Sequence, residues 1–365
     1  MSIRKRKVLF IIPGLRGGGA ERVIVTLLNH LNRKKFILTL AVVDIRDEVF
    51  LNQIPKDVDL IDLKSKRVRY AIIKIIRLIW NYQPNIVIST LEHLNLTLAI
   101  IRKLLPSNIK IIIRVTNFLS IHYKGYTFPS IWFNLTRMFY YSLDLIICQS
   151  KDMQKDLVLK FSIPQVKTIV IHNPVDVGCI KKNIKNQNRY LSENAQQIYL
   201  VAAGKLMYQK GFDLLIEAID LLKFKQYIQL NILGEGKDKD KLIQLIKSKK
   251  LEKQIYLVGF QNNPYKWFAD ADAFILSSRY EGFPNVVLEA LACGTPVIAT
   301  PAPGGIHEIL NGIQECRIAD DISAKSLAKS ISDWITSDRN RVSIKSIKSF
   351  EHKKIIEKYE KVLFQ

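Results

Sequence analysis

Short apolar runs recur along the chain, each followed by a longer stretch whose apolar residues stand three and four apart. A bounded apolar run reads as a buried strand, and the three-four spacing as one face of a helix. Their alternation predicts an α/β protein with parallel sheets. In the first half, Lys7–Ile12, Leu38–Val43, Ile86–Ser89, Lys110–Val115 and Leu145–Cys148 read as strands. In the second half, Ile198–Ala203, Ile228–Leu233, Ile255–Val258, Ala273–Leu276 and Pro296–Thr300 do so. A helix is expected after Gly17–Gly19, with Val23, Leu27, Leu28 and Leu31 on one face. From Asn173-Pro174-Val175-Asp176 to Ser192 hydrophobicity falls while Lys and Asn accumulate. The pattern therefore predicts two doubly wound, Rossmann-like domains, 1–175 and 193–348, joined by a linker at 176–192. They are expected to face one another across a cleft, with ligands at the carboxyl ends of the strands. The terminal segment 349–365 keeps helical spacing at Ile355, Ile356, Tyr359 and Leu363.

Composition narrows the class. At 365 residues the chain exceeds what one ordinary core covers, in keeping with two domains. Hydrophobic content of 48% and charged content of 24% exclude a disordered chain. Cys148, Cys179, Cys293 and Cys316 form no CxxC pair, which argues against a zinc cluster or disulfide scaffold and suits a reducing cytoplasm. The start of the chain is basic, but Val8–Pro13 is too short for the apolar core of a signal peptide and reads as a first strand. No apolar run approaches the roughly 18–20 residues that span a bilayer. The net charge of +22 is uneven: residues 1–175 hold 27 Lys and Arg against 11 Asp and Glu, the remainder 28 against 22. A basic half implies a polyanionic partner, either nucleic acid or anionic lipid.

The chemistry concentrates in Glu281-Gly282-Phe283-Pro284-Asn285-Val286-Val287-Leu288-Glu289. A strand precedes it, and Pro284 and Asn285 suit the start of a helix over Asn285–Ala292. Glu281 then lies on the loop facing that start and Glu289 about one turn into the helix. Free amides at a helix start favour anionic oxygens. Carboxylates on either side accept hydroxyls, so the segment suits a ligand that is part phosphate and part sugar. Lys205 and Lys210 flank a turn that follows a strand and closes with Gly211, where two ammonium groups can clamp a diphosphate and neutralise a departing nucleotide. Alone, either motif is commonplace: two solvated lysines, or two exposed acids.

Together they carry a resemblance. Glu281 and Glu289, followed by Ala290-Leu291-Ala292-Cys293-Gly294-Thr295-Pro296, resemble the signature of retaining glycosyltransferases of family 4, which have the GT-B fold. Gly204-Lys205-Leu206-Met207-Tyr208-Gln209-Lys210-Gly211 is similar to that family's diphosphate site, with Lys205 where Arg is usual. Lys keeps the charge but loses the planar fork. Gly234 and Gly236, Gly259 with Phe260, and Pro303-Gly304-Gly305 through Glu308 follow in the family's order. Pro13 to Val23 resembles its amino-terminal glycine-rich loop. The resemblance implies that Glu289 accepts ribose hydroxyls and Glu281 contacts the donor sugar. Gly282 and Phe283 would offer amides, and the nucleobase would lie near Gly234, Gly259 and Phe260. Gly18 and Gly19, with Arg16 and Arg22 nearby, would close over donor phosphate or acceptor; a ligand-free tight turn is the alternative. That loop is neither GxGxxG nor a P-loop. The terminal helix is, on the same ground, expected to cross back to the first domain.

Two features depart from or distract from that pattern. Many members carry a His after the fourth strand of the first domain, where this chain has Arg114-Val115-Thr116-Asn117, with His122 five residues beyond. Retaining transfer in this fold is pictured as front-face substitution, in which the leaving phosphate accepts the acceptor's proton, so positioning and charge matter more than a nucleophile. Asp270-Ala271-Asp272 spells the metal-binding DxD string of the other large glycosyltransferase fold, but it ends a helix before a strand and reads as solvated. No cofactor and no metal are expected.

Two stretches of the basic half concern the acceptor. Lys64 to Arg69, then Ile72, Ile73, Ile76, Leu78 and Ile79, read as a basic helix that either lies on anionic membrane or packs on the core. Aromatics crowd Phe118 to Tyr141, as a lipid-proximal or sugar-stacking wall or as a core helix. The sequence thus points to a metal-independent, retaining transferase that moves a hexose or N-acetylhexosamine from a nucleotide sugar, expected to be a UDP-sugar, to a lipid-linked glycan. The setting would be O-antigen or capsule assembly, peripheral on the cytoplasmic membrane face. A nucleotide-sugar epimerase of the same fold and a nucleic-acid-binding protein are the alternatives; the latter lacks a recognition motif.

Overall fold

The computed structural model describes residues 5–46, 49–184 and 197–364. The chain forms two compact units, one holding the residues up to Pro174 together with the terminal helix His352–Phe364, the other spanning Val175–Glu351.

In the first unit, the described residues give seven strands: β1 Arg6–Ile12, β2 Phe36–Val42, β3 Asp59–Asp62, β4 Ile86–Thr90, β5 Lys110–Val115, β6 Leu145–Cys148 and β7 Thr168–Val170. All pair in parallel, in the order β3-β2-β1-β4-β5-β6-β7. Helices cover both faces, which is why β1 is an unbroken apolar run from Val8 to Ile12 and fully buried. The pleat still sorts its side chains. Leu9 and Ile11 pack with Val87, Ile111 and Ile113 under the helices Val68–Tyr82 and Glu92–Ile101. Val8, Phe10 and Ile12 pack with Leu38 and Leu40 under the helix Gly19–His30 and the terminal helix. Val23, Leu27 and Leu28 are buried on the helix Gly19–His30, and Leu31 ends it by donating its amide to the Leu27 carbonyl.

The second unit has six parallel strands among its described residues: β8 Ile198–Ala203, β9 Ile228–Leu233, β10 Ile255–Gly259, β11 Ala273–Leu276, β12 Val297–Ala299 and β13 Arg317–Ile318. Their order is β10-β9-β8-β11-β12-β13, so the direction of winding reverses between β8 and β11. A ligand site belongs at the carboxyl ends beside such a reversal.

Two expectations need correction. Of the linker placed at 176–192, residues 185–192 lie outside the described residues, and Val177–Ile184 is a helix. Ile180 is buried in the second unit's core with Val177 and Ile184 packed beside it, a short apolar stripe that the surrounding Lys and Asn conceal. On the helix Val68–Tyr82 the buried seam is Ala71, Ile75 and Ile79, whereas Ile73 is 64% exposed. The 3.6-residue period carries Ile73 off the seam.

Candidate functional site

The strands of the second sheet deliver the site residues to one edge. Gly204 follows β8 and Gly234 follows β9; the Gly234 amide donates to the Gly259 carbonyl (2.8 Å) and the Gly204 amide to that of Leu233 (3.0 Å). Gly234 has φ +132°, and any Cβ there would collide with the Gly204 carbonyl oxygen. Only glycine lets the two turns close into a shelf of backbone groups. Phe260, next after Gly259, is 56% exposed beside it.

Lys210 ends a short helical turn, Tyr208–Lys210, and its aliphatic stem runs over Gly204. Its ammonium donates to Glu281 Oε1 at 2.6 Å, and Ser278 Oγ donates to the same oxygen at 2.6 Å. The Glu281 side chain is nearly buried and that of Lys210 largely so. Glu281 Oε2 has no partner among the described residues, and an ammonium with three donors keeps two in reserve. Lys205, by contrast, is exposed and its ammonium meets no acceptor among the described residues.

Long-range bonds hold this turn against the loop after β11. Ser277 Oγ donates to the Lys210 carbonyl (2.9 Å), the Arg279 amide to that of Gln209 (2.8 Å), and Thr300 Oγ1 to that of Ser278 (2.6 Å). The Arg279 guanidinium grips Asp213 through two bonds of 2.8 and 2.6 Å and lies over the Tyr208 ring at 4.0 Å. Burial alone would raise the Asp213 pKa, but the guanidinium outweighs it and holds the carboxyl below its ordinary value. Bidentate pairing of this kind fixes geometry as well as charge.

The segment after Glu281 is equally constrained. The Glu281 amide donates to the Pro303 carbonyl and the Gly305 amide to that of Gly282, both at 3.0 Å. Gly304, at φ +132°, passes so close that a Cβ would strike the Glu281 carbonyl. Phe283 and Pro284 are buried, the Phe283 ring packing tilted against that of Phe350 with 5.8 Å between centroids. The helix Asn285–Ala292 then begins without a side-chain cap, and Glu289 lies on its second turn, buried. Burial pushes the nearby Cys293 thiol far up, and the Glu289 charge adds to it.

The structure thus gathers Lys210, Glu281, Gly204, Gly234, Gly259, Gly282 and Glu289 on one sheet's carboxyl edge. Gly18 and Gly19 belong to the other unit, exposed where β1 leads into the helix Gly19–His30. There the Glu21 carboxylate folds back onto the Gly18 amide, the reach of a capping-box acid. The sequence pattern does not single out Ser278 or Arg279. A serine three positions before Glu281 is the available sign for the first; Arg279 finds Asp213 only through the fold. Asp272 accepts the Tyr199 amide at 2.8 Å, a structural task for one acid of the DxD string. Among the described residues no cluster of His, Cys, Asp and Glu is arranged to hold a metal ion. Asn117, in the stretch where a His is usual, donates to Glu92 Oε1 (2.8 Å).

Residues 17–178 match the family model described as Glycosyltransferase Family 4, and residues 183–349 that of Glycosyl transferases group 1. Among curated proteins, the chain is 30% identical over 348 residues to the Campylobacter jejuni N-acetylgalactosamine-N,N'-diacetylbacillosaminyl-diphospho-undecaprenol 4-alpha-N-acetylgalactosaminyltransferase, covering 93% of each. It is 25% identical to the amylovoran biosynthesis glycosyltransferase AmsD of Erwinia amylovora, over 83% of each chain. Anabaena HepE, solved in complex with UDP and glucose, superposes with a TM-score of 0.80 at 19% identity, over 98% of this chain and 99% of that one. That last likeness is one of fold.

Proposed function

The chain belongs to glycosyltransferase family 4, and on that premise we propose that it moves a hexose or N-acetylhexosamine, with retention, from a UDP-sugar to a lipid-linked glycan in the synthesis of a bacterial cell-surface polysaccharide. The observation that carries the reading is the Lys210–Glu281 pair at 2.6 Å, nearly buried at the carboxyl ends of β8 and β11, with donor and acceptor capacity to spare. Such a pair supplies an ammonium for a diphosphate and a carboxylate oxygen for a sugar hydroxyl within one site. Glu289, on the adjoining helix, would take the ribose hydroxyls. Lys205, exposed and without an acceptor among the described residues, would swing to the diphosphate when the donor enters.

Charge separation is the step these residues would ease. As the bond from the anomeric carbon to the diphosphate lengthens, negative charge grows on the leaving oxygens, and Lys210 is already fixed to meet it. Buried glutamate beneath holds the ammonium in place without a search for position. The acceptor hydroxyl's proton passes to the departing phosphate, and no metal takes part. Support for the lipid-linked acceptor comes from the activity for which the Campylobacter relative is named and from the basic first unit. Among the described residues no helix is long and apolar enough to cross a membrane, so contact with such an acceptor would be peripheral.

Turnover assays with a panel of nucleotide sugars and lipid-linked glycans test the proposal, with the anomeric configuration of the product read by NMR. An α-linked product from an α-linked UDP-sugar is expected. An inverted product, or a donor epimerised without any acceptor, would replace the reading.

A further inference from the structure

The second sheet ends with β13 and its last covering helix, Ala324–Ile335, yet the chain adds one more segment before it leaves the unit. Ile344–Phe350 reads Ile-Lys-Ser-Ile-Lys-Ser-Phe and forms seven residues of 3-10 helix, where runs beyond three or four are uncommon. Three residues per turn align Ile344, Ile347 and Phe350 on one line, while Lys345, Ser346, Lys348 and Ser349 are exposed. An α-helix would wind the same apolar positions around its axis, so the three-residue repeat suits the tighter coil. Ile347 and Phe350 are buried, and Ile344 partly so, in one core with Phe283, Val287, Leu288 and Leu291.

The segment packs against the helix Asn285–Ala292 and matches it in length. Its seven residues cover about 14 Å, and the eight of the helix about 12 Å. At the helix's carboxyl end the Val342 amide donates to the Gly294 carbonyl at 2.9 Å. Beside it the Arg341 guanidinium donates to the carbonyls of Ala271 (2.7 Å), Ala269 and Cys293 (3.4 Å). Those oxygens close the helices Tyr265–Asp270 and Asn285–Ala292, where both dipoles favour a cation. At the other end Phe350 bears on the Phe283 ring, two residues beyond Glu281. Gly305 leaves that ring its room, since a Cβ there would enter it. The Phe350 carbonyl is itself held by the Val175 amide at 2.9 Å. With no side-chain cap at the helix start, packing through Phe283 takes over the work of fixing it.

We propose that Arg341 and Phe350 are positioning residues for the two halves of the donor site, a division that rests on the roles proposed above for Glu281 and Glu289. Phe350, through Phe283, sets the Glu281 loop against the donor sugar. Arg341, through the Cys293 carbonyl, sets the helix turn that carries Glu289 against the ribose. Neither needs to touch the donor. A displaced loop costs rate, because a shift of about 1 Å can cost about 10²-fold in turnover. A displaced helix end costs nucleotide affinity instead.

Phe350→Leu and Arg341→Met in the full chain test this, read against Ile331→Val, which lies in the separate core with Leu215 and Trp334. Phe350→Leu is expected to lower kcat about tenfold and leave UDP affinity, measured by calorimetry, within about twofold. Arg341→Met should weaken UDP about tenfold, near the lower end of what a charged hydrogen bond contributes, with kcat at saturating donor within about threefold. Ile331→Val should move neither. Kinetics and affinity that fall together in both variants, a crossed pattern, or effects no larger than those of Ile331→Val overturn the assignment. Hydrogen exchange of the unliganded chain is scored separately: Phe350→Leu should quicken it at 281–286, and Arg341→Met at 289–294. If exchange responds so while the wild type turns over no nucleotide sugar, the proposed function falls and the two residues keep their hold on loop and helix. Wild-type turnover with exchange unmoved in both variants does the reverse.

Discussion

Glu281 accepts from Lys210 and Ser278 on one oxygen and keeps the other open, and this division of labour makes its neighbours separable by mutation. Lys210→Ala is expected to lower kcat by about 10²–10³, the cost of removing one donor aimed at developing charge, and to raise the donor KM. It also strands a nearly buried carboxylate, so the thermal midpoint should fall with it. Glu289→Ala should instead weaken UDP itself by about 1.5–3 kcal/mol per lost charged hydrogen bond, measured by calorimetry. Unchanged UDP affinity would remove Glu289 from the nucleotide site. Glu281→Ala should lower turnover more than nucleotide affinity. A pH effect belongs to Glu21, whose carboxyl burial raises above its ordinary value while the Gly18 amide and Arg16 partly offset this. A raised acid favours the folded state most when protonated, below the unfolded pKa, and that contribution is lost as pH climbs through the folded value. Relative to Glu21→Gln, the wild-type melting midpoint should therefore drop between acid and neutral pH; a flat difference would contradict the burial. At this scale the two glutamates were legible because their helix and loop are continuous in sequence. Lys210 and Glu281 come together 71 positions apart, and Arg279 and Asp213 66 apart, distances over which no local pattern speaks.

Elements were legible in proportion to their burial. β5, β6, β8, β9 and β11 coincide with their expected limits because each is mostly apolar and covered on both faces. The three strands not expected, β3, β7 and β13, all lie at sheet edges and are four, three and two residues long. Asp59-Leu60-Ile61-Asp62 begins and ends with an acid, as an edge with one solvated side allows. Turns between elements decide the site more sharply than the strands do. Gly304 has φ +132° and grazes the Glu281 carbonyl, whereas Gly312, at φ +76°, faces open space. Alanine at either carries backbone strain of about 1–3 kcal/mol, but only at Gly304 must the Glu281 loop move. Gly304→Ala should therefore lose turnover well beyond Gly312→Ala at a comparable loss of melting midpoint. Equal kinetics in the two variants would mean that the loop's position does not govern catalysis.

Across the whole chain, the second unit is closed at its own root and the first is not. The Val175 amide donates to the Phe350 carbonyl at 2.9 Å, so the chain enters and leaves the second unit at one point. The terminal helix His352–Phe364 then completes the first unit: Ile355, Ile356, Tyr359, Val362 and Leu363 are buried in the core under β1 and β2. Lys35 pairs with Glu360 at 2.8 Å, and Arg6 donates to the Leu363 carbonyl at 3.0 Å. Inside, Arg114 is fully buried and donates to the Tyr359 hydroxyl (2.7 Å), Asn173 Oδ1 (2.9 Å) and Thr90 Oγ1 (3.4 Å), with no carboxylate partner among the described residues. A buried cation held by neutral acceptors depends on every one of them. Arg114 thereby ties a central strand to the residue before the exit at Pro174 and to the helix that returns. Tyr359→Phe removes one acceptor and should destabilise the first unit by about 1–3 kcal/mol; Tyr359→Ala adds a cavity and should cost about 3–5 kcal/mol. Hydrogen exchange read by mass spectrometry should place the lost protection in β1, β4, β5 and the terminal helix, while β8 to β12 keep theirs and UDP affinity holds. Protection lost equally from both sheets would mean that the chain unfolds as one body and that the returning helix serves both units alike.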